Sequence, residues 1–249
     1  MPRPHTPKTM RLTQAHVAQL KREIADPGFQ QVAGMRPATA ADYDEIVAEL
    51  IAQAPKDGFW VFAYGSLIWN PDFDSVDQRI ARVRGWHRAF CLGWDYRFRG
   101  SREQPGLMLA LDRGGSCTGV AFRLPDEELE KNMHRLIRRE MSMRPSAFPA
   151  RWVTVETDGG RLTTLTFAMN RKSGRYVGDL SEEKTADMLA TACGFRGSMA
   201  EYLFATVAGL EALGIHDRYL WRLQELTAAR IDALHGAGCH PPCEPSTSA

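Results

Sequence analysis

Long apolar runs are missing from this 249-residue chain. Stretches such as Phe59 to Ala63 fall far short of the roughly 18 to 20 residues that cross a bilayer, which excludes a membrane-spanning helix. Excess charge of one sign is missing as well. Thirty-one Lys and Arg stand against 30 Asp and Glu, a formal net charge of +1, which argues against a chain that coats a polyanion. Neither a membrane nor a nucleic acid is therefore an expected partner. Cysteine is scarce, odd in number and scattered: Cys91, Cys117, Cys193, Cys239 and Cys243 make no disulfide framework. The opening residues lack the apolar core of a secretory signal, so a reducing cytoplasm is the expected compartment. No internal repeat, Walker motif or dinucleotide fingerprint occurs, and no Ser-His-Asp order emerges from spacing.

What remains is an ordinary globular composition, 44% hydrophobic and 24% charged, enough for one large domain or two small ones. Val17, Leu20 and Ile24 predict a helix over Arg11 to Ile24. Tyr43, Ile46, Val47, Leu50 and Ile51 predict another over Thr39 to Ala52, with Thr39 as its cap. The aromatic and β-branched run from Phe59 predicts a buried strand that turns at Gly65. Further strands are expected over Ala81 to Leu92, Gly106 to Leu111, Cys117 to Leu124, Arg151 to Glu156 and Arg161 to Ala168. Pro105-Gly106 and Arg113-Gly-Gly115 punctuate them, and Thr157-Asp-Gly-Gly160 reads as a hairpin turn. Pro125-Asp-Glu-Glu128 opens a helix to Met141. Ser181 to Leu234 reads as helix, broken at Gly194, Gly197 and Gly214. One sheet or barrel flanked by helices, an α+β class, follows from this order.

Four places could carry chemistry. Tyr64-Gly65-Ser66-Leu67 follows a buried strand. It is either an ordinary strand-ending turn or one that aims backbone N–H groups at an anion. Glu140 continues the apolar stripe of Leu129, Met133 and Leu136. It is either desolvated, with a raised pKa suited to acid/base work, or turned to water beside Arg139. Arg82, Arg84, Arg88, Arg97, Arg99 and Arg102 stand among five aromatics, against two acids, Asp95 and Glu103. The near-zero total charge favours a solvated face of strands over a nucleic-acid groove. Between these readings, one or two of the arginines hold the carboxylate of a small acidic substrate. His235, Cys239, His240 and Cys243 sit in a Pro/Gly/Ser tail that reads as disordered, not as a metal site.

Read together, these pieces form an ordered pattern. Val61-Phe-Ala-Tyr-Gly-Ser-Leu-Ile-Trp69-Asn-Pro71 resembles the opening strand and loop of the ChaC family of γ-glutamylcyclotransferases. The likeness continues through Arg99-Gly-Ser101, Pro105-Gly106, Arg139-Glu140, Tyr176-Val-Gly178 and Gly197-Ser-Met-Ala-Glu-Tyr-Leu-Phe204, in the family's order. It implies a small mixed β-barrel with flanking helices over residues 59–234. Residues 1–58 are then a helical extension and 235–249 a disordered tail. It also implies cleavage of γ-glutamyl compounds, glutathione above all, to 5-oxoproline and the released amine portion, with no metal or cofactor. Glu140 maps onto the catalytic glutamate, and Tyr64, Gly65, Ser66 and Leu67 onto the substrate loop. Tyr176 and Tyr202 map onto two further substrate-binding tyrosines. The chain departs from the family after Glu140, where Met141-Ser-Met-Arg-Pro145 replaces a Lys-Gly-Gly-Tyr-like run. The oligomeric state is not legible. The alternatives are the same chemistry on another γ-glutamyl compound, or a non-catalytic binding protein on the same fold.

Overall fold

The β-branched and aromatic segments close into a five-stranded barrel in the computed structural model, which describes residues 9–236. In chain order the helices are α1 (Gln14–Gln19), α2 (Ala40–Ala52), α3 (Ser66–Trp69), α4 (Leu129–Glu140), α5 (Glu182–Thr191), α6 (Met199–Ala212) and α7 (Arg218–Gly236). The strands are β1 (Arg36–Pro37), β2 (Trp60–Ala63), β3 (Asp77–Asp95), β4 (Gly106–Arg123), β5 (Met143–Arg144), β6 (Ala150–Thr157), β7 (Gly160–Phe167), β8 (Cys193–Gly194) and β9 (Gly197–Ser198). The barrel runs β2-β4-β3-β6-β7 and closes by a parallel pairing of β2 with β7, its other neighbours being antiparallel. All four residues of β2 are buried, which is why that strand reads as a continuous apolar run and not as an alternation.

The long hairpin β3–β4 corrects the expected break at Arg113-Gly-Gly115. The chain continues as strand through those residues, with Gly114 and Gly115 at φ 105° and 65°. Opposite them the register shifts between Arg84 and Trp86, and Gly85 sits at φ 79°. Such a bulge inserts one residue and reverses which face later side chains occupy. Ala81 and Val83 point inward before it, whereas Arg88 and Phe90 point inward after it. The arginines therefore do not share one solvated face. Arg82 and Arg84 are exposed, and Arg88 is buried in the barrel.

The expected helix over Arg11 to Ile24 is corrected to the six residues of α1. Thr13 caps it, and it ends at Leu20. The chain beyond runs without regular structure and brings Asp26 to Arg97 and Gln30 to Arg102. Leu12, fully buried, donates its N–H to Gln224 Oε1 on α7. Helix α2 starts where expected: Thr39 accepts from the Asp42 N–H, and Asp42 accepts from the Thr39 N–H, a reciprocal cap. Arg36 grips the same Asp42 through two nitrogens. Strand β1 then pairs with β5, immediately after α4. Within α4, Met133, Leu136 and Ile137 are fully buried, so the stripe that ends on Glu140 packs against the core. Ser181 and Ser198 cap α5 and α6. Residues 1–8, and the tail carrying Cys239, His240 and Cys243, lie outside the described residues.

Strand β4 passes so close to β2 that a methyl group at Gly119 would run into the Ala63 carbonyl and within 3.0 Å of the Phe62 ring. Gly119→Ala is expected to cost roughly 1–3 kcal/mol of stability. A denaturant midpoint equal to wild type would show that the strands are not this close.

Candidate active site

The Tyr64-to-Leu67 turn and the end of α4 meet through one arginine. Arg139 donates to Ser66 Oγ at 3.1 Å and to the Asn70 carbonyl at 2.6 Å. Its Nε lies 3.2 Å from Glu140 Oε1. Glu140 is the last residue of α4, and its side chain is 16% exposed, enclosed yet reachable from outside. Burial pushes its pKa up from 4.5 to about 7, and Arg139 opposes the rise without cancelling it. Of the two readings left open by the residues alone, the desolvated carboxylate is the one the structure supports.

Two phenols share this carboxylate's surroundings. Tyr64 is held well above the ordinary tyrosine range by burial and by the Glu140 charge. Tyr202 is pushed up to about 12 by the same two causes, and Ser66 hydrogen-bonds to it. Both therefore stay protonated at neutral pH. Tyr202 comes from α6, and its ring stands edge-on to Trp69 and Phe90 at 6.1 and 6.2 Å. The indole of Trp69 is fixed in turn by Thr206 on α6. Gly65 has no room for a side chain without crowding the Tyr202 hydroxyl (3.3 Å) and Leu109 (3.4 Å). Leu67 is buried and anchors the turn.

The turn is held from below by the buried Arg88. Its Nε donates to the Tyr64 carbonyl at 2.6 Å, its Nη1 to Asp217 at 2.7 Å, and its Nη2 to the Thr118 carbonyl. Because a trans peptide is planar, a Tyr64 carbonyl held toward Arg88 leaves the Gly65 N–H pointing the opposite way. Ser66 and Leu67 open α3, where the first N–H groups have no intrahelical acceptor. Tyr176 lies in a different cluster. Its hydroxyl donates to Asp112 Oδ2 at 2.9 Å, and Arg171 holds that carboxylate through two nitrogens. Cys91, pushed up to about 12 by burial, is common to the surroundings of Tyr64 and Tyr176.

Sequence reasoning named Arg88 only as one of six arginines and Arg139 only as a neighbour of Glu140, and missed that both hold the Tyr64-to-Leu67 turn. The adjacency of Arg139 to Glu140 was a usable signal for the second. Only the bulge at Gly85 could have shown that Arg88 turns inward. Two grooves of the surface are lined neither by Glu140 nor by the Tyr64-to-Leu67 turn. One of about 710 Å³ is lined by Trp86, Met141, Arg144 and Trp152, and one of about 420 Å³ by Arg88, Cys91 and Tyr219. Among the described residues no group of His, Cys, Asp and Glu could hold a metal ion, and no helix is long and apolar enough to cross a membrane.

A mixed barrel that keeps one carboxylate poised near neutrality beside two phenols and a glycine turn defines an acid–base site on an α+β frame. The chain belongs to the ChaC family: the family model described as ChaC-like protein matches residues 59–230. It is 39% identical over 173 residues to the glutathione-specific γ-glutamylcyclotransferase of Escherichia coli K12, covering 69% of this chain and 74% of that one. It is 32% identical over 202 residues to the human glutathione-specific γ-glutamylcyclotransferase 1, covering 77% and 86% of the two chains. The fold matches a crystal structure of a yeast γ-glutamyl cyclotransferase specific to glutathione with a TM-score of 0.63. Identity there is 21%, with 70% of this chain and 96% of that one covered. The expected mixed barrel with flanking helices is thus the fold observed.

Glu140 lowers the stability of the folded chain at neutral pH. Its pKa is higher folded than unfolded, so the folded state binds more protons between pH 4.5 and 7. The stability gained from that extra proton is full below about pH 4.5 and is lost as the pH rises through about 7. The shift corresponds to about 3 kcal/mol at ~1.4 kcal/mol per unit. Glu140→Gln is expected to raise the melting temperature at pH 8, by an amount that shrinks toward pH 4.5. A pH-independent difference would contradict the desolvated carboxylate.

Proposed function

We propose that this chain cleaves glutathione to 5-oxoproline and Cys-Gly, with Glu140 as general base and then general acid. The observation that carries the mechanism is the enclosed Glu140 carboxylate with its pKa raised to about 7. The glutathione specificity of the Escherichia coli and human relatives, as their names give it, supports the choice of substrate.

The reaction needs no external nucleophile. The γ-glutamyl α-amine attacks its own γ-carbonyl, a five-membered lactam closes, and the C–N bond to cysteine breaks. The enzyme's first task is to fold the substrate until amine and carbonyl stand about 3–3.5 Å apart. A carboxylate that binds its proton near pH 7 takes one from the α-ammonium and returns one to the departing amine nitrogen. The N–H groups of Gly65, Ser66 and Leu67 receive the substrate's α-carboxylate or the developing oxyanion. Tyr64 and Tyr202, kept protonated, are donors on the same side. Arg139 positions both the carboxylate and the turn.

Because the carboxylate must be ionised to accept the first proton, 5-oxoproline release should rise with pH through about 7. Glu140→Gln should lower kcat by about 10²–10⁴-fold, measured as 5-oxoproline formed from glutathione by purified protein. Turnover at the wild-type rate would exclude Glu140 from the mechanism.

A further inference from the structure

Six arginines crowd the sequence between positions 82 and 102, and the structure separates them by what each one touches. Arg82 donates to Ser116, and Arg84 holds Glu156 through two nitrogens on the outer face of the barrel. Arg88 is buried and fully occupied beneath the Tyr64 turn. Arg97 holds Asp26 through two nitrogens, and Arg102 reaches Gln30. Arg99 differs from all of these. Its guanidinium stands 5.5 Å from the centroid of the Tyr202 ring. A single nitrogen, Nη1, makes its hydrogen bonds, to the Ser198 carbonyl at 2.9 Å and to Glu201 Oε2 at 2.8 Å. Its side chain is 14% exposed. The position is therefore restrained, while Nε and Nη2, the paired edge that suits a carboxylate, make none of these bonds.

Tyr202 separates Arg99 from the catalytic turn. The tyrosine hydroxyl lies against Gly65 and Ser66, and its ring carries the guanidinium. A substrate whose γ-glutamyl head occupies the turn places its far end on the scale of a Cys-Gly unit away, roughly 7 Å for two extended residues. Tyr202 touches the turn with its hydroxyl and the guanidinium with its ring, so a two-residue unit lying along it leads from one toward the other. The far end of glutathione is a carboxylate, and a second anion recognised at that distance would distinguish it from neutral γ-glutamyl amides.

Resting on the function proposed above, we infer that Arg99 is a specificity-determining residue that binds the glycine carboxylate of glutathione. Asp26–Arg97 and Gln30–Arg102 fix the segment on either side of it, so Arg99 is presented by a braced loop.

The test compares glutathione with its glycine carboxamide, which keeps every atom of the reacting half. For Arg99→Gln, KM for glutathione should rise about ten- to hundredfold, the range for losing a charge-assisted hydrogen-bonded pair. KM for the amide should change by less than about twofold, and kcat for both should hold. Arg99→Lys should recover part of the preference for glutathione, and Arg84→Gln, on the outer face of the barrel, should leave both KM values at wild type. Equal losses on the two substrates would show a structural role at Tyr202 and overturn the inference, as would no loss on either. Binding of both compounds to Glu140→Gln, with and without Arg99→Gln, measured by calorimetry, makes the readout independent of turnover. If wild-type protein releases no 5-oxoproline, the proposed function fails. If calorimetry shows no Arg99-dependent preference for the free acid, the Arg99 assignment fails.

Discussion

Keeping one carboxylate out of water and still reachable by substrate is the constraint around which the functional half of this molecule is arranged. Desolvation alone would neutralise Glu140, and a full ion pair would return it to the ordinary carboxylate range. Arg139 strikes the balance because it is divided among three partners: Glu140, Ser66 and the Asn70 carbonyl. Its charge is felt by the carboxylate without dominating it. The same division ties the end of α4 to the turn, so the position of the carboxylate and that of the Gly65 N–H groups are not independent.

A second cation, Arg88, does for the turn what Arg139 does for the helix end. Its guanidinium is buried among the Tyr64 carbonyl, the Thr118 carbonyl and Asp217. A charge that far from water is retained only where its donors are satisfied. Asp217 in turn caps the start of α7 through the Leu220 N–H. Barrel, turn and C-terminal helix are thereby locked at one point. The peptide that presents Gly65 rests on strands and not on a free loop, which is the rigidity that stabilising a developing charge requires.

How much of this was legible follows from which interactions are local. The cap of α2 by Thr39 and the β6–β7 hairpin depend on neighbours within a few residues, and both stand where the residues place them. Glu140 was legible as a position on a stripe, since Met133 and Leu136 at helical spacing set its direction. Its chemistry stayed open between a desolvated carboxylate and one turned to water, because its burial is completed by segments distant in sequence. The inward turn of Arg88 was hidden for a different reason. A period-2 pattern reports the face only while the register holds, and the bulge at Gly85 reverses it midway along β3. Helix α1 was overread because Val17, Leu20 and Ile24 fall at helical spacing, yet of the three only Leu20 is buried, and the helix ends there.

The departure from the family pattern after Glu140 acquires a physical meaning from the same contacts. In place of the Lys-Gly-Gly-Tyr-like run that the resemblance leads one to expect, Met143 and Arg144 form β5 and pair with Arg36 and Pro37. The Ala38 N–H adds a bond to the Ser142 carbonyl. Asp42 draws Arg36 and Arg144 together from the cap of α2, and hydrogen bonds from Arg36 and Thr39 hold its carboxyl well below the ordinary range. A glycine-rich run could not offer Asp42 a side-chain cation at that position, and it would enter an edge pairing at a higher entropic cost. The residues that break the pattern are therefore the ones that dock the N-terminal segment. That segment also braces the Arg97–Arg102 loop through Asp26 and Gln30, so one stretch of chain outside the family match restrains both the end of α4 and the loop that carries Arg99.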